Sequence, residues 1–293
     1  MNWKLLIERL EGAYSTNTIR GYKSDFEQFA TWCRRKRLRA LPAEPATIAK
    51  FVDEHSDKLK ASTIKRKLVA ISKLHRLAGY ASVADAEEVL LAVRRVKRAR
   101  PGRPRQALGI TYERREKLMA QCCDDLIGLR DRVLVAVGFD TLCRRSELVA
   151  LRVEDFQLNP GGTMSVLVRR AKNDPEGLGR VAHLSRETTT VVQDWLATTQ
   201  IERGPLLRPI YKSKAGCRYL SPSVVGRVLK RLSAQAYNAD LARKVSGHSL
   251  RVGAAQTLTA RGVGLLPIMS AGGWKSANIV ARYVENVDQN LWQ

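Results

Sequence analysis

A chain of 293 residues with 51 Lys+Arg against 28 Asp+Glu carries a formal charge of +23, and 44% of it is apolar. Such a length and apolar share suit two ordinary hydrophobic cores. They argue against a membrane protein, because the densest apolar run, Val133 to Phe139, is far shorter than the roughly 18 residues of a span.

The start, Met1-Asn2-Trp3-Lys4, has no signal-like apolar stretch. Cys33, Cys122, Cys123, Cys143 and Cys217 show no CxxC or zinc spacing, so they read as reduced, incidental thiols of a cytoplasmic protein. Residues 1–106 hold 24 basic and 11 acidic side chains, and the remainder 27 and 17. The positive charge is therefore spread over folded sequence and is no detachable tail. That pattern fits a polyanion, above all nucleic acid. A membrane surface fits less well, since no basic amphipathic helix with a bulky aromatic face is present. Purely structural nucleic-acid binding stays open on charge alone.

In chain order, Thr16 to Arg37 has a helical period, with Ile19, Tyr22, Phe26, Phe29, Ala30 and Cys33 apolar behind a polar Ser15-Thr16-Asn17 start. Pro42 and Pro45 interrupt, and Ala46 to Leu59 resumes the pattern. Ser62 is placed to cap a helix with Ile64, Leu68, Ile71, Leu74 and Leu77 on one side. Lys65, Arg66, Lys67, Lys73 and Arg76 lie on the other, and Gly79 ends it. A last helix covers Ser82 to Lys97. This predicts a helical domain over 1–98 whose Lys65, Arg66, Lys73 and Arg76 meet DNA.

Residues 99–106 read as a basic linker, because two prolines and a glycine forbid a regular helix. Arg100, Arg103 and Arg105 are expected to track phosphates. The Gly102-Arg103-Pro104 core also resembles part of a minor-groove hook, and both modes stay open.

The remainder, 107–293, predicts a mixed domain. Thr111 to Cys123 and Leu129 to Phe139 read as helices, the second nearly all apolar and hence buried. Met164 to Arg170 and Arg180 to Leu184 read as a strand hairpin around Asn173-Asp174-Pro175-Glu176-Gly177. Helices follow at Glu187 to Thr199, Pro222 to Ala236, Ser249 to Ala260 and Ala277 to Val284. The fold class is mainly α with a small antiparallel sheet (α+β).

Four stretches carry chemistry: Thr141-Leu142-Cys143-Arg144-Arg145-Ser146-Glu147-Leu148, Arg170-Ala171-Lys172-Asn173, Ser246-Gly247-His248-Ser249-Leu250-Arg251-Val252-Gly253, and Ala271-Gly272-Gly273-Trp274 running on to Ala281-Arg282-Tyr283. Each alone is weak, since an HxxR pair on a helix merely puts two polar groups on one face. Their order, Arg, Lys, His-x-x-Arg, Trp, Tyr, resembles the tyrosine recombinase (phage integrase) family. Trp274, where many relatives have histidine, together with Pro42-Ala43-Glu44-Pro45 and Leu74-His75-Arg76, is similar to its Cre-like branch.

The resemblance implies a DNA-joining enzyme with a helical core-binding domain and a catalytic domain forming a C-shaped clamp. Tyr283 is the implied nucleophile, yielding a 3′-phosphotyrosine and a free 5′-hydroxyl. A phenol is protonated at neutral pH, with a pKa of about 10, so His248 is the implied base or orienting partner. Arg144 and Arg251 would donate to the nonbridging phosphate oxygens and remain charged. Lys172 would protonate the departing oxygen, its pKa lowered by Arg169, Arg170 and Arg180. Trp274 would add an indole N–H, and Glu147 would position Lys172 or Arg144. Tyr219 and Tyr237 are the other tyrosines weighed as nucleophile.

No cofactor or metal is implied: no GxxxxGK[ST] loop or acidic metal cluster occurs. Arg227, Lys230 and Arg231 share a helix face suited to a major groove. The partners implied are double-stranded DNA with an inverted-repeat site and other copies of the chain. Relatives form tetramers on two sites, from a free monomer or dimer, with a Holliday junction between rounds. Only ten residues follow Tyr283, so a full docking helix does not fit, and Val287, Leu291 and Trp292 are the residues that could anchor a short tail in a neighbouring copy. A catalytically dead DNA binder and a site-blind type IB topoisomerase remain as other readings.

Overall fold

The computed structural model describes all residues except 1, 100, 101, 103–105, 170–176, 286 and 288–293. The chain divides into two compact units, Met1–Pro104 and Arg105–Gln293.

The first unit is helical: α1 (Trp3–Glu8), α2 (Thr16–Arg35), α3 (Pro45–Glu54), α4 (Ala61–Leu77) and α5 (Glu87–Ala99). Ser15 Oγ caps α2 by accepting from the Thr18 N–H at 3.3 Å, which satisfies one of the free donors of a helix start. Phe26, Phe29 and Cys33 follow at helical spacing and are fully buried. Phe29 meets Phe51 of α3 edge-on, with ring centroids 5.1 Å apart.

Two expectations need correction here. Lys60, not Ser62, holds the N-cap position of α4. Lys67 does not belong to the basic face: it is 2% exposed, with Nζ 3.2 Å from Asp25 Oδ1 and 2.7 Å from Gln28 Oε1. One turn of register places it against α2, where a buried carboxylate offsets its charge. His75 is also buried, its Nε2 accepting from the Ala43 N–H at 2.8 Å and its Nδ1 lying 2.8 Å from the Ile71 carbonyl oxygen.

The second unit opens with α6 (Tyr112–Met119), α7 (Leu126–Asp140) and α8 (Arg145–Leu148). A short 3-10 turn at Val153–Asp155 leads to β1 (Phe156–Leu158), β2 (Met164–Val168) and β3 (Arg180–His183). These pair antiparallel in the order β1-β2-β3, with Val166 opposite Ala182 and Val168 opposite Arg180. Then come α9 (Arg186–Thr199), the two-residue strands β4 (Ile210–Tyr211) and β5 (Lys214–Ala215), and α10 (Pro222–Ala236). The unit closes with α11 (Ala239–Lys244), α12 (Ser249–Ala260), α13 (Leu265–Gly272) and α14 (Ala277–Val284). The predicted hairpin is present with shorter strands, and its tip, 170–176, lies outside the described residues.

Helix α7 is the hub. Val133 through Val137 are wholly buried, which is why its apolar residues show no one-sided stripe. Helix α12 lies close to it and to the chain entering α6. A Cβ on Gly253 would fall 1.9 Å from the Ile110 carbonyl oxygen, so only glycine allows the approach in which the Ile110 N–H donates to the Ser249 carbonyl at 2.9 Å.

Candidate active site

Helix α7 ends at Asp140, and Leu142 then takes a positive φ of 50°. A branched residue in the left-handed region is strained by about 1–3 kcal/mol, a cost that recurs at functional sites. The Leu142 carbonyl oxygen here accepts a hydrogen bond from Arg251 Nη1.

Arg144 follows at the N-cap of α8. Its backbone N–H donates to Glu147 Oε2 at 3.0 Å, and its Nη1 donates to Glu147 Oε1 at 2.6 Å. Glu147 is 4% exposed, so one buried carboxylate fixes both the main chain and the guanidinium of Arg144. Of the two partners expected for Glu147, Arg144 is bonded to it, and Lys172 lies outside the described residues.

His248 and Arg251 stand at the start of α12. Ser246 Oγ accepts from the His248 N–H at 3.1 Å, and the Ser246 N–H donates to Ser249 Oγ at 2.9 Å, which orders the turn into the helix. Arg251 is 2% exposed. Its guanidinium carbon lies 3.8 Å from the Trp274 ring centroid, a stacked cation–π contact. Its Nη2 is buried and meets no acceptor among the described residues. A buried N–H left unpaired is costly unless a ligand supplies the acceptor.

Burial first, then the neighbouring Arg144, pulls the Arg251 pKa down to about 10, which still leaves it charged at neutral pH. The His248 imidazole has an exposed edge but protein mass behind it. That burial, and then Arg145, Arg251 and Arg144, hold its pKa below the ordinary value. A neutral imidazole can accept a proton.

Trp274 reaches Arg251 because of two glycines. A Cβ on Gly272 would sit 2.0 Å from the indole ring, and Gly273 ends α13 at φ +63°. Trp274 also meets Tyr283, with ring centroids 5.9 Å apart at 70°. Arg251, Trp274 and Tyr283 thus form one contiguous row. Tyr237, by contrast, faces the Lys117 ammonium, and the Tyr219 side chain is exposed.

Arg180 is the residue whose role sequence reasoning missed. Its guanidinium is tied inward: Nη1 donates to the Ala271 carbonyl at 2.6 Å, and Nη2 donates to the Thr141 carbonyl at 2.8 Å. Glu147 Oε2 lies 4.0 Å away. Arg180 ties β3 to the chain just before Arg144 and to the last turn of α13, just before Trp274. Arg169 is likewise occupied, donating through Nε to Asp155 at 2.6 Å. The effect expected of either on Lys172 falls on a residue outside those described. Lys172 and Arg170 lie outside the described residues, as do Arg100, Arg103 and Arg105.

Among the groove-facing cations expected, Lys65, Arg76, Arg227 and Lys230 are exposed. Lys65 stands beside Lys97 and lowers that amine's pKa, a like-charge cluster suited to an anion. Lys73 Nζ lies 4.8 Å from the Tyr14 ring centroid. Two others are not free arms. Arg66 is bound to Asp25 at 2.8 Å, and Arg231 to fully buried Asp131 at 2.5 Å.

Among the described residues, no helix is long and apolar enough to cross a membrane, and no cluster of His, Cys, Asp and Glu could hold a metal ion. A cavity of about 790 Å³ has Gln106, Tyr112, Lys244, Gln256 and Arg261 in its wall; the row of Arg251, Trp274 and Tyr283 lies elsewhere.

A buried guanidinium with a spare N–H and a second arginine fixed by a buried carboxylate stand in the same unit as an imidazole and a phenol that meets Trp274. Residues 110–290 match the Phage integrase family, and residues 6–79 its N-terminal SAM-like domain. The chain is 32% identical over 290 residues to an integrase/recombinase XerD homolog of Selenomonas ruminantium, spanning 94% of this chain and 84% of that one. It is 27% identical to the Cre recombinase of Escherichia phage P1 over 94% of this chain and 86% of that one. Among solved structures, XerH recombinase bound to a palindromic difH substrate superposes with a TM-score of 0.66 at 18% identity (93% of this chain, 77% of that one). A lambda integrase dimer on a core site gives 0.65 at 16% (99% and 96%). The chain belongs to the phage integrase family of tyrosine recombinases and is an enzyme of site-specific DNA cleavage and rejoining.

Proposed function

We propose that Tyr283 is the nucleophile of strand cleavage. Its phenol oxygen attacks the scissile phosphorus, the bond to the 5′-oxygen breaks, and a 3′-phosphotyrosine remains. His248 takes the phenolic proton, and Lys172 returns one to the departing oxygen. Arg144 and Arg251 donate to the nonbridging oxygens, Trp274 packs against the phosphate and offers its indole N–H, and Glu147 holds Arg144. Rejoining is the same exchange reversed, a free 5′-hydroxyl displacing the tyrosine with no net loss of bond energy. The observation that carries this reading is the buried, unpaired Nη2 of Arg251 in the row that ends at Tyr283.

By analogy with the palindromic substrate of XerH and the dimeric lambda complex, the target is an inverted repeat. Two such sites would be joined by four copies through a Holliday junction, in the cytoplasm of a bacterial host. Residues 1–98 serve as core-binding domain, 99–106 as linker and 107–293 as catalytic domain, nearest in kind to the Cre-like branch. Lys65, Lys73, Arg76, Arg227 and Lys230 supply DNA contacts, joined by Arg100, Arg103 and Arg105.

On a nicked suicide duplex the wild-type protein should accumulate a protease-sensitive protein–DNA adduct, and Tyr283→Phe should form none. An undiminished adduct in that variant would overturn the assignment. On supercoiled plasmid, recombinant circles separate this reading from site-blind relaxation.

A further inference from the structure

Tyr283 sits one residue from the end of α14, where helix carbonyls find no partner further along their own helix. Its main-chain oxygen is met by two carboxamides: Gln106 Nε2 donates at 3.2 Å and Gln256 Nε2 at 3.0 Å. The two come from different parts of the unit. Gln256 lies on α12, five residues beyond Arg251, and Gln106 lies in the segment leading into α6. The next carbonyl, that of Val284, is taken by the Val287 N–H at 2.8 Å. Both amides therefore converge on the residue whose phenol ring meets Trp274.

We propose that Gln106 and Gln256 are positioning residues that clamp the backbone of the nucleophile against the helix bearing Arg251. This rests on Tyr283 being the nucleophile. Helix α14 has eight residues, of which only Val280 is fully buried. A helix that short is marginal by itself, so tertiary contacts near its end set where the phenol lies. In-line attack tolerates little error: a displacement of about 1 Å can cost about a hundredfold in rate. A second feature agrees. A Cβ on Gly109 would fall 2.0 Å from Gln256 Oε1, so the glycine leaves the space the carboxamide occupies.

The test is single-turnover cleavage of a nicked suicide duplex at saturating DNA, with DNA affinity and Tm measured on the same preparations. Gln106→Met and Gln256→Met each leave one bond to the oxygen and should lose roughly threefold to tenfold in rate. The double variant removes both and should lose about a hundredfold or more, beyond the product of the single effects. Gly109→Ala should resemble Gln256→Met. Dissociation constants should stay within about twofold, a separation of rate from binding that general destabilisation would not give. If the double variant melts too early to assay, the two single variants and Gly109→Ala decide the matter by the same rate-against-affinity comparison. Cleavage near the wild-type rate, or loss of rate and affinity in parallel, would overturn the clamp. Tyr283→Phe run alongside keeps the two assignments apart: an adduct there removes the nucleophile reading, whereas its absence beside active glutamine variants removes the clamp alone.

Discussion

The two units bury charge in opposite ways. In the first, Asp25 and Lys67 are both nearly inaccessible and pair with each other, while exposed Arg66 also binds Asp25 and Gln28 accepts from the spare ammonium proton. In the second, three largely buried guanidiniums, those of Arg144, Arg180 and Arg251, surround the single carboxylate of Glu147. The first arrangement is self-sufficient and joins α4 to α2. The second is left with about two uncompensated positive charges, which is unfavourable in the empty protein. A pentacoordinate phosphoryl state formed by a phenolate attacking a phosphodiester carries about two negative charges, so the excess matches what the reaction creates. Preorganised charge of this kind is aimed at the transition state and lowers the barrier because it need not reorganise.

The sharpest way to break the comparison is to remove one charge from each unit. Arg251→Met deletes a buried cation with an unpaired N–H. We expect cleavage to fall by about 3–4 kcal/mol of barrier, while Tm holds or rises, since replacing a buried charge by an apolar side chain is often neutral or stabilising. A simple fall in Tm with cleavage preserved would show the residue to be scaffold. Lys67→Met should do the reverse. Leaving Asp25 with only exposed Arg66 should cost about 3 kcal/mol of stability, read as a shift in denaturant midpoint, with little change in the cleavage rate of folded protein.

Glu147→Gln is expected to be milder. The isostere keeps one acceptor for Arg144 but deletes the carboxylate that, among the described residues, lies near Arg144, Arg180 and Arg251. The cleavage rate should drop by roughly tenfold, and the His248 pKa should fall further, because Glu147 is the one neighbour that raises it. Titration of the His248 ring by NMR checks the direction.

Where the sequence could be read and where it could not follows from distance along the chain. Helices α2, α10, α12 and α14 announce themselves by local periodicity and caps. The Arg-Lys-His-x-x-Arg-Trp-Tyr order is legible because reaction chemistry restricts each residue type. The short helices α1, α8 and α11 escape, being too brief to show a period. So do the partnerships that decide which cations are free. Arg66 is bound to a carboxylate 41 positions away, Arg231 to one 100 positions away, and Arg180 to carbonyls 39 and 91 positions away. A basic side chain drawn on a helix face looks the same whether or not a buried acceptor waits for it. Only the fold brings the acceptor.

The smallest expected effect concerns the two histidines, one in each unit, whose pKa values burial lowers. His75 is held neutral by geometry: Nε2 must accept from the Ala43 N–H, so the ring proton sits on Nδ1 and donates to the Ile71 carbonyl. Its folded pKa lies below the unfolded value of about 6.5. Above that pH both states are neutral and its stabilisation is fully present. As pH falls below it the unfolded chain takes up a proton that the folded chain refuses, so stability declines toward the folded pKa. The denaturant midpoint should therefore fall more steeply between about pH 6.5 and 5 in wild type than in His75→Gln, which does not titrate. His248 lies at a site open to solvent and should influence cleavage there instead. The rate should hold steady as pH drops past the ordinary histidine value and decline only below it, once the imidazole can no longer accept the phenolic proton. Coincident pH profiles of stability and cleavage would contradict the division of labour between the two units.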